Sequence, residues 1–348
     1  MWSRRTSRIA GAVTVLATAC LTLTAPGPSL AAAPAAAALN NGVAYAINDN
    51  GVITGYRNDS SGRSGAARWQ ADGTVTMLTA PAGSMQTGGL DINSAGVVVG
   101  YSDTSDWTRT AVRWNANGSM TLLRPLPGVS SMEVDAINDN NVAVGVTLGG
   151  TWHAVKWAAN GAPSTLFGVP GEQASRAWDI NNAGVAAGYA VTSDNATHAV
   201  KWSASGTVSR LPEAGKPYSQ AYGINNNGVI VGAVYGPGPD YITTAARWNA
   251  NNTLTLLSTP AGFVHAEAQA INATGTIVGS ATTSSGTSHA VRWNPNGSVV
   301  DLGMLPGDTN SGGSDVNAAG VVVGDSYVSF SPEHPVRWSS GGAISPLP

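Results

Sequence analysis

The stretch Gly89-Leu90-Asp91-Ile92-Asn93-Ser94-Ala95-Gly96-Val97-Val98-Val99-Gly100-Tyr101 reads as two strands and the turn between them. Asn93 can hydrogen-bond its own backbone and Gly96 tolerates a positive φ, which is the chemistry of a hairpin turn. Val97-Val98-Val99 is apolar without alternation, so both faces of that strand are expected to be buried. Downstream, Thr110 to Trp114 and Ser119 to Leu123 add two more strand-like pieces, with turn residues at each junction. In the third piece Val112 and Trp114 share one face, and Ala111 and Arg113 the other.

The unit recurs along the chain. Its Asn returns as Asn48, Asn93, Asn138, Asn181, Asn225, Asn272 and Asn317, at gaps of 43 to 47 residues. A Trp keeps the same beat as Trp69, Trp114, Trp157, Trp202, Trp248, Trp293 and Trp338. Each is directly preceded by a base: Arg68, Arg113, Lys156, Lys201, Arg247, Arg292 or Arg337. A fixed period in this range announces a solenoid, propeller or array. Sheets of four antiparallel strands that bury both faces must stack, and stacking around an axis is the propeller solution. An open stack needs polar caps, and the seventh repeat is as apolar as the others. The expected fold is therefore all-β, a seven-bladed β-propeller built from seven tandem four-stranded repeats of about 45 residues, with each Trp wedged between neighbouring blades. Repeats are expected to start near residues 44, 89, 134, 177, 221, 268 and 313 of a domain spanning 39–348. The strand around Val43 to Ile47 is expected to complete the sheet of Val321 to Leu347 and so seal the ring.

Residues 1–33 read as a secretory signal: Arg4, Arg5 and Arg8 precede an apolar run from Ile9 to Thr24, and Ser29-Leu30-Ala31-Ala32-Ala33 offers small-residue cleavage sites. Residues 34–38 form an Ala-rich linker. General secretion is the expected route, with no membrane span kept after cleavage. Cys20, the single cysteine, falls inside the signal, so the mature chain is expected to have no disulfide; an acylated Cys20 is the alternative. Without Arg4, Arg5 and Arg8 the chain has 14 basic and 20 acidic residues, a net charge of −6 that argues against a nucleic-acid partner. A secreted or cell-surface monomer is expected.

The chain resembles the extracellular repeat family named for its His-Ala-Phe tripeptide. The resemblance rests on His153-Ala154-Val155, His198-Ala199-Val200 and His289-Ala290-Val291, with Val in place of Phe, and on the linkers Leu126-Pro127-Gly128 and Leu305-Pro306-Gly307. It implies an extracellular or cell-surface setting and carries no established activity.

Candidate chemistry divides into what recurs and what does not. His153, His198, His289 and His334 share one repeat position, four before the Trp, where other repeats have Gly65, Thr110 and Thr244, so a structural role is expected. Asp91, Asp179 and Asp315, each two before the repeat Asn, read as scaffold for the same reason. Asn48-Asp49-Asn50-Gly51 and Asn138-Asp139-Asn140 read as hairpin turns; they resemble fragments of a calcium loop but lack its further acidic ligands, so no cofactor is expected and calcium stands as the alternative. The linker carboxylates Glu133, Glu172, Glu213 and Glu267 are expected on solvated surface, with paired acid–base chemistry as the rival reading. The base beside each Trp is expected to pack against an indole or pair with Asp or Asn side chains. Breaks in the repeat are the better guide to function. Trp107, Trp152, Tyr235 and Tyr241 lie in the loops between second and third strands, and His265 lies outside the shared His position. Exposed aromatics of this kind grip sugar rings and peptides. The leading expectation is a secreted, non-enzymatic propeller displaying loops for a glycan, cell-envelope or protein ligand. A secreted hydrolase or lyase with carboxylates at the ring mouth is the second reading, and a passive structural surface protein the third.

Overall fold

In the computed structural model, which describes residues 41–236 and 242–348, every repeat folds into one four-stranded antiparallel sheet whose strands lie in sequence order. The seven sheets span residues 42–77, 86–122, 131–165, 172–210, 218–256, 265–303 and 310–346, hereafter blades 1 to 7. The expected signal, linker and Cys20, together with Tyr241, lie outside the described residues. The first strand of each blade touches the first strands of both neighbours, blade 7 and blade 1 included. First strands therefore line the axis, and the chain is a closed seven-bladed β-propeller. They begin two to five residues ahead of the repeat starts read from sequence, because polar linker residues such as Gln86 still pair with the end of the second strand.

The continuous valine run behaves as its pattern requires. Val98 and Val99 are both fully buried, one facing blade 1 and the other blade 3. Seven apolar clusters fill the seven seams, each with one repeat Trp against it. Six of the indoles donate Nε1–H to a carbonyl in the tail of the preceding blade at 2.7–2.9 Å, as Trp114 does to Thr79. Trp338 has no acceptor: the carbonyl in that place, on Gly303, sits on a bulged fourth strand and accepts from Ser311 Oγ at 2.8 Å.

The repeat Asn does two jobs. Its Oδ1 accepts the backbone N–H four residues on, at 2.9–3.0 Å, and closes the hairpin turn. Its Nδ2 donates to the backbone carbonyl of the next blade's Asn at 2.9–3.3 Å, seven times, including Asn317 to Asn48. A circle of buried side-chain hydrogen bonds thus runs around the axis. Asp91, Asp179 and Asp315 reinforce it, each accepting the N–H of the next blade's Ile at 2.7–2.9 Å.

That circle also explains why the expected strand exchange is absent. Gly42–Ile47 pairs with Ile53–Asn58 of its own blade, and blade 7 is completed by its own Ile344–Pro346. The closing seam is held as the others are: Asn317 to Asn48, Ala318 N to Asp49 Oδ1 at 2.8 Å, and Trp69 Nε1 to the Pro348 carbonyl at 2.7 Å. The same Asn staple at every seam, with an apolar cluster packed behind it, holds the ring without a shared sheet.

A second periodic residue was hidden among the many glycines. Gly55, Gly100, Gly145, Gly188, Gly232, Gly279 and Gly324 occupy one position of the second strand, and a Cβ there would stand 1.9–2.0 Å from a first-strand carbonyl oxygen. The first strand bulges at this point in each blade, which presses its backbone onto the second.

Of the two expected roles of the basic residue, pairing with an Asn side chain is seen for Lys201, whose Nζ donates to Asn252 Oδ1 of the next blade at 2.6 Å, while elsewhere stacking on an indole is replaced by another contact. Alternation along the third strand points the base away from the Trp and toward turn carbonyls of the next blade. Arg68 donates to Gly96, Arg113 to Ala159, Lys156 to Ala204 and Arg292 to Ser340, at 2.7–2.9 Å.

Candidate functional site

Strand order gives the ring two faces. One carries the Asn turns and the turns between third and fourth strands; the other carries the loops between second and third strands and the linkers between blades. Eleven large apolar side chains are exposed among the described residues. Four (Met77, Leu122, Leu256, Val300) lie on outer strands, and the other seven (Met85, Trp107, Phe167, Ile242, Val264, Val328, Phe330) are all on the loop face. The turn face has none.

Trp107 is the most distinctive of these. It is 70% exposed and sits at the tip of the blade 2 loop with φ 62°, in the left-handed region. The same place in the loops of blades 1, 4 and 6 is taken by Gly62, Asn195 and Gly286, residues suited to that backbone. A bulky side chain there costs about 1–3 kcal/mol. Phe330, fully exposed in the blade 7 loop, is held at φ 67°. Trp152 occupies the equivalent blade 3 loop, half-buried, its carbonyl accepting from Ser175 N at 2.8 Å. Tyr235 ends the second strand of blade 5, stacked on Tyr218 at 5.5 Å, and its hydroxyl accepts from Gln220 Nε2 at 3.0 Å. Trp107 and Trp152 thus share a face, while Tyr235 leans back onto its own sheet.

His265 proves to be part of the repeat. Its Nδ1 accepts Thr243 N–H at 3.2 Å, the same service Ser131 gives Arg109 and Asn310 gives Ser288, each seven residues before the repeat Asn. The four histidines of the shared position each meet a carboxylate through Nδ1: His153 with Glu172, His198 with Glu213, His289 with Asp301 and His334 with Asp308, at 2.7–3.4 Å. Glu172 and Glu213 also accept from Ser175 and Ser219, whose oxygens in turn accept the backbone N–H of Ala154 and Ala199. These linker carboxylates therefore staple blades rather than sit in solvent.

Glu133 departs furthest from its expected place on the surface. It is buried on the first strand of blade 3, and its two oxygens accept from Arg109 Nη1 of blade 2 and Arg176 Nη2 of blade 4. Arg109 also grips Asp103 with Nε and Nη2 at 2.7 and 2.6 Å, and Arg176 grips Asp135. Five charges alternate along this chain and tie three blades together. Burial by itself would raise the Glu133 carboxyl, but the guanidiniums of Arg176 and Arg109 outweigh it and hold the group below the usual glutamate range. Against burial, the carboxylates likewise raise both arginines. Each guanidinium lies 3.8 Å from an aromatic ring, Arg109 over Tyr101 and Arg176 over Trp178. Burial pushes the Tyr101 hydroxyl up to about 12. Arg109, Arg176 and Trp178 were legible only as breaks: two bases not followed by Trp, and a Trp off the beat.

Among the described residues no three His, Asp or Glu side chains are placed to hold a metal ion. The Asp49 and Asp139 oxygens considered for calcium accept backbone N–H from Ala318 and Ser94. No described helix is long and apolar enough to cross a membrane.

The ring superposes on several solved structures. With virginiamycin B lyase from Staphylococcus aureus, solved as a catalytically inactive variant with quinupristin, identity is 14% and the TM-score 0.54, over 82% of this chain and 92% of that one. A puromycin-hydrolysing peptidase from Mycobacterium tuberculosis gives 15% and 0.57, over 89% of this chain and 53% of that one. The propeller domain of the Trilobed protease from Pyrococcus furiosus, described as having an open velcro topology, gives 9% and 0.59, over 89% and 98%. At such identities the likeness is one of fold. No protein-family profile and no curated protein matches the chain.

Proposed function

We propose that this chain is an exported, non-enzymatic propeller whose loop face grips a cell-envelope glycan. The observation that carries the reading is Trp107, an exposed indole kept in a backbone conformation that its repeat equivalents meet with Gly or Asn. Strain of this kind persists where it serves a site, and a flat exposed ring suits the apolar face of a sugar. The likeness to His-Ala-Phe repeat proteins belongs to the same proposal and agrees with an extracellular setting, as does the signal-like start.

The hydrolase or lyase reading rests on carboxylates at the ring mouth. Glu133, the most deeply placed linker carboxylate, is clamped by two guanidiniums and is poorly suited to give up or take a proton near neutrality. That favours display over catalysis.

The test is co-sedimentation with insoluble cell-wall polysaccharide, comparing the wild type with Trp107→Gly. Binding is expected to fall by more than about tenfold, while the melting temperature stays level or rises. A variant that sediments like the wild type would overturn the proposal.

A further inference from the structure

The seam between blades 1 and 2 lacks a side chain that other blades supply. Gly65 stands four residues before Trp69, in the place of His153, His198, His289 and His334, and of Thr110 and Thr244. Met77 fills part of the gap, its Cε 2.6 Å from where a Cβ on residue 65 would stand. What is left is a cleft of about 270 Å³, with Leu78, Ala80 and the half-exposed Met77 and Met85 among its lining.

The rim of the cleft is built rather than loose. Arg63, from the blade 1 loop, donates Nε to the Met85 carbonyl at 3.2 Å and Nη2 to the Ser84 carbonyl at 3.1 Å, so its planar guanidinium is pinned to the linker into blade 2. Gln86, also in the lining, is fixed by its bond to Asp103 Oδ2 at 2.8 Å.

We propose that this cleft binds one planar aromatic ring of a small molecule, of imidazole or phenol size. Three features carry it. At four equivalent positions the fold itself seats an imidazole. Thioether sulfurs favour aromatic partners over saturated ones, and the guanidinium of Arg63, fixed by two bonds among the residues that line the cleft, is a group that stacks on aromatic rings. The volume lies below the roughly 300–1,000 Å³ of drug-sized sites, which selects a single ring. The proposal is independent of the Trp107 reading.

The experiment uses the full chain with methyl-labelled methionine, titrated with imidazole, p-cresol and, as a saturated control, cyclohexanol. Saturable shifts are expected for the Met77 and Met85 methyls with the two aromatic probes, in the millimolar range, with Met120 and Met132 unmoved. Gly65→His should abolish them by filling the cleft. Gly65→Thr, which copies blades 2 and 5, should do the same if the larger side chain fails to fold. Trp107→Gly should leave them intact. Absence of saturation at Met77 and Met85, an equal response to cyclohexanol, or shifts that survive both Gly65 substitutions would each overturn the assignment.

Discussion

The two faces of the ring follow opposite rules. On the turn face the same short turns recur: Asn closes the hairpin, its amide reaches the next blade, and in most blades the base beside the Trp donates to a neighbouring turn. On the loop face the same four-stranded frame carries segments that differ in length, charge and apolar content, and the seven exposed hydrophobic side chains off the outer strands gather there. The difference teaches where freedom lies in a closed repeat. Interactions that must match at seven seams cannot vary one at a time, whereas the contacts a loop makes, such as those of Arg63 and Trp152 with the next blade, are particular to that loop.

The sharpest way to break that division is Glu133→Gln. Removing one charge from a buried alternating chain should cost about 3–5 kcal/mol in chemical denaturation, so a near-neutral result would mean that the network is not what joins blades 2 to 4. The same group sets a pH dependence. Its carboxyl is depressed in the folded ring, so its contribution is present in full above the ordinary glutamate value of about 4.3 and is lost as pH falls through the folded value. Resistance of the wild type to denaturation should weaken in that acid window, and the Gln variant should show less of the dependence.

Gly188→Ala is expected to cost up to about 3 kcal/mol, because its Cβ would meet the Arg176 carbonyl oxygen at 1.9 Å. A normal melting curve would show that the first-strand bulge can yield. Asn181→Ala removes the turn closure and one link of the axial circle, and should cost about 2 kcal/mol by the same measurement. Trp107→Gly should go the other way, stabilising by up to about 1 kcal/mol as the left-handed backbone is relieved. If it destabilised as much as Asn181→Ala, the loop face would be scaffold too and the contrast would fail.

Much of this was legible because it repeats. Asn93 and Trp114 mark the turn and the seam in every blade, and Val97 to Val99 announced a strand covered on both sides. The second-strand glycine at Gly100 carries the same beat and was masked by the abundance of glycine around it. The site was less legible. Trp107 stood out as an off-beat aromatic, but its strained backbone did not, and His265 looked like an exception until Ser131 and Asn310 were seen to do the same work.

The sequence by itself determined the blade, its count and its two-sided burial, since these follow from local turn chemistry and a period of apolar residues read along the chain. Only the tertiary structure decided that the ring closes without exchanging a strand, that Glu133 lies between Arg109 and Arg176, and that a missing side chain at Gly65 opens a cleft. Those outcomes depend on which residues of separate repeats meet across a seam, and residues more than 20 positions apart have no mutual distance until the blades are packed around their axis.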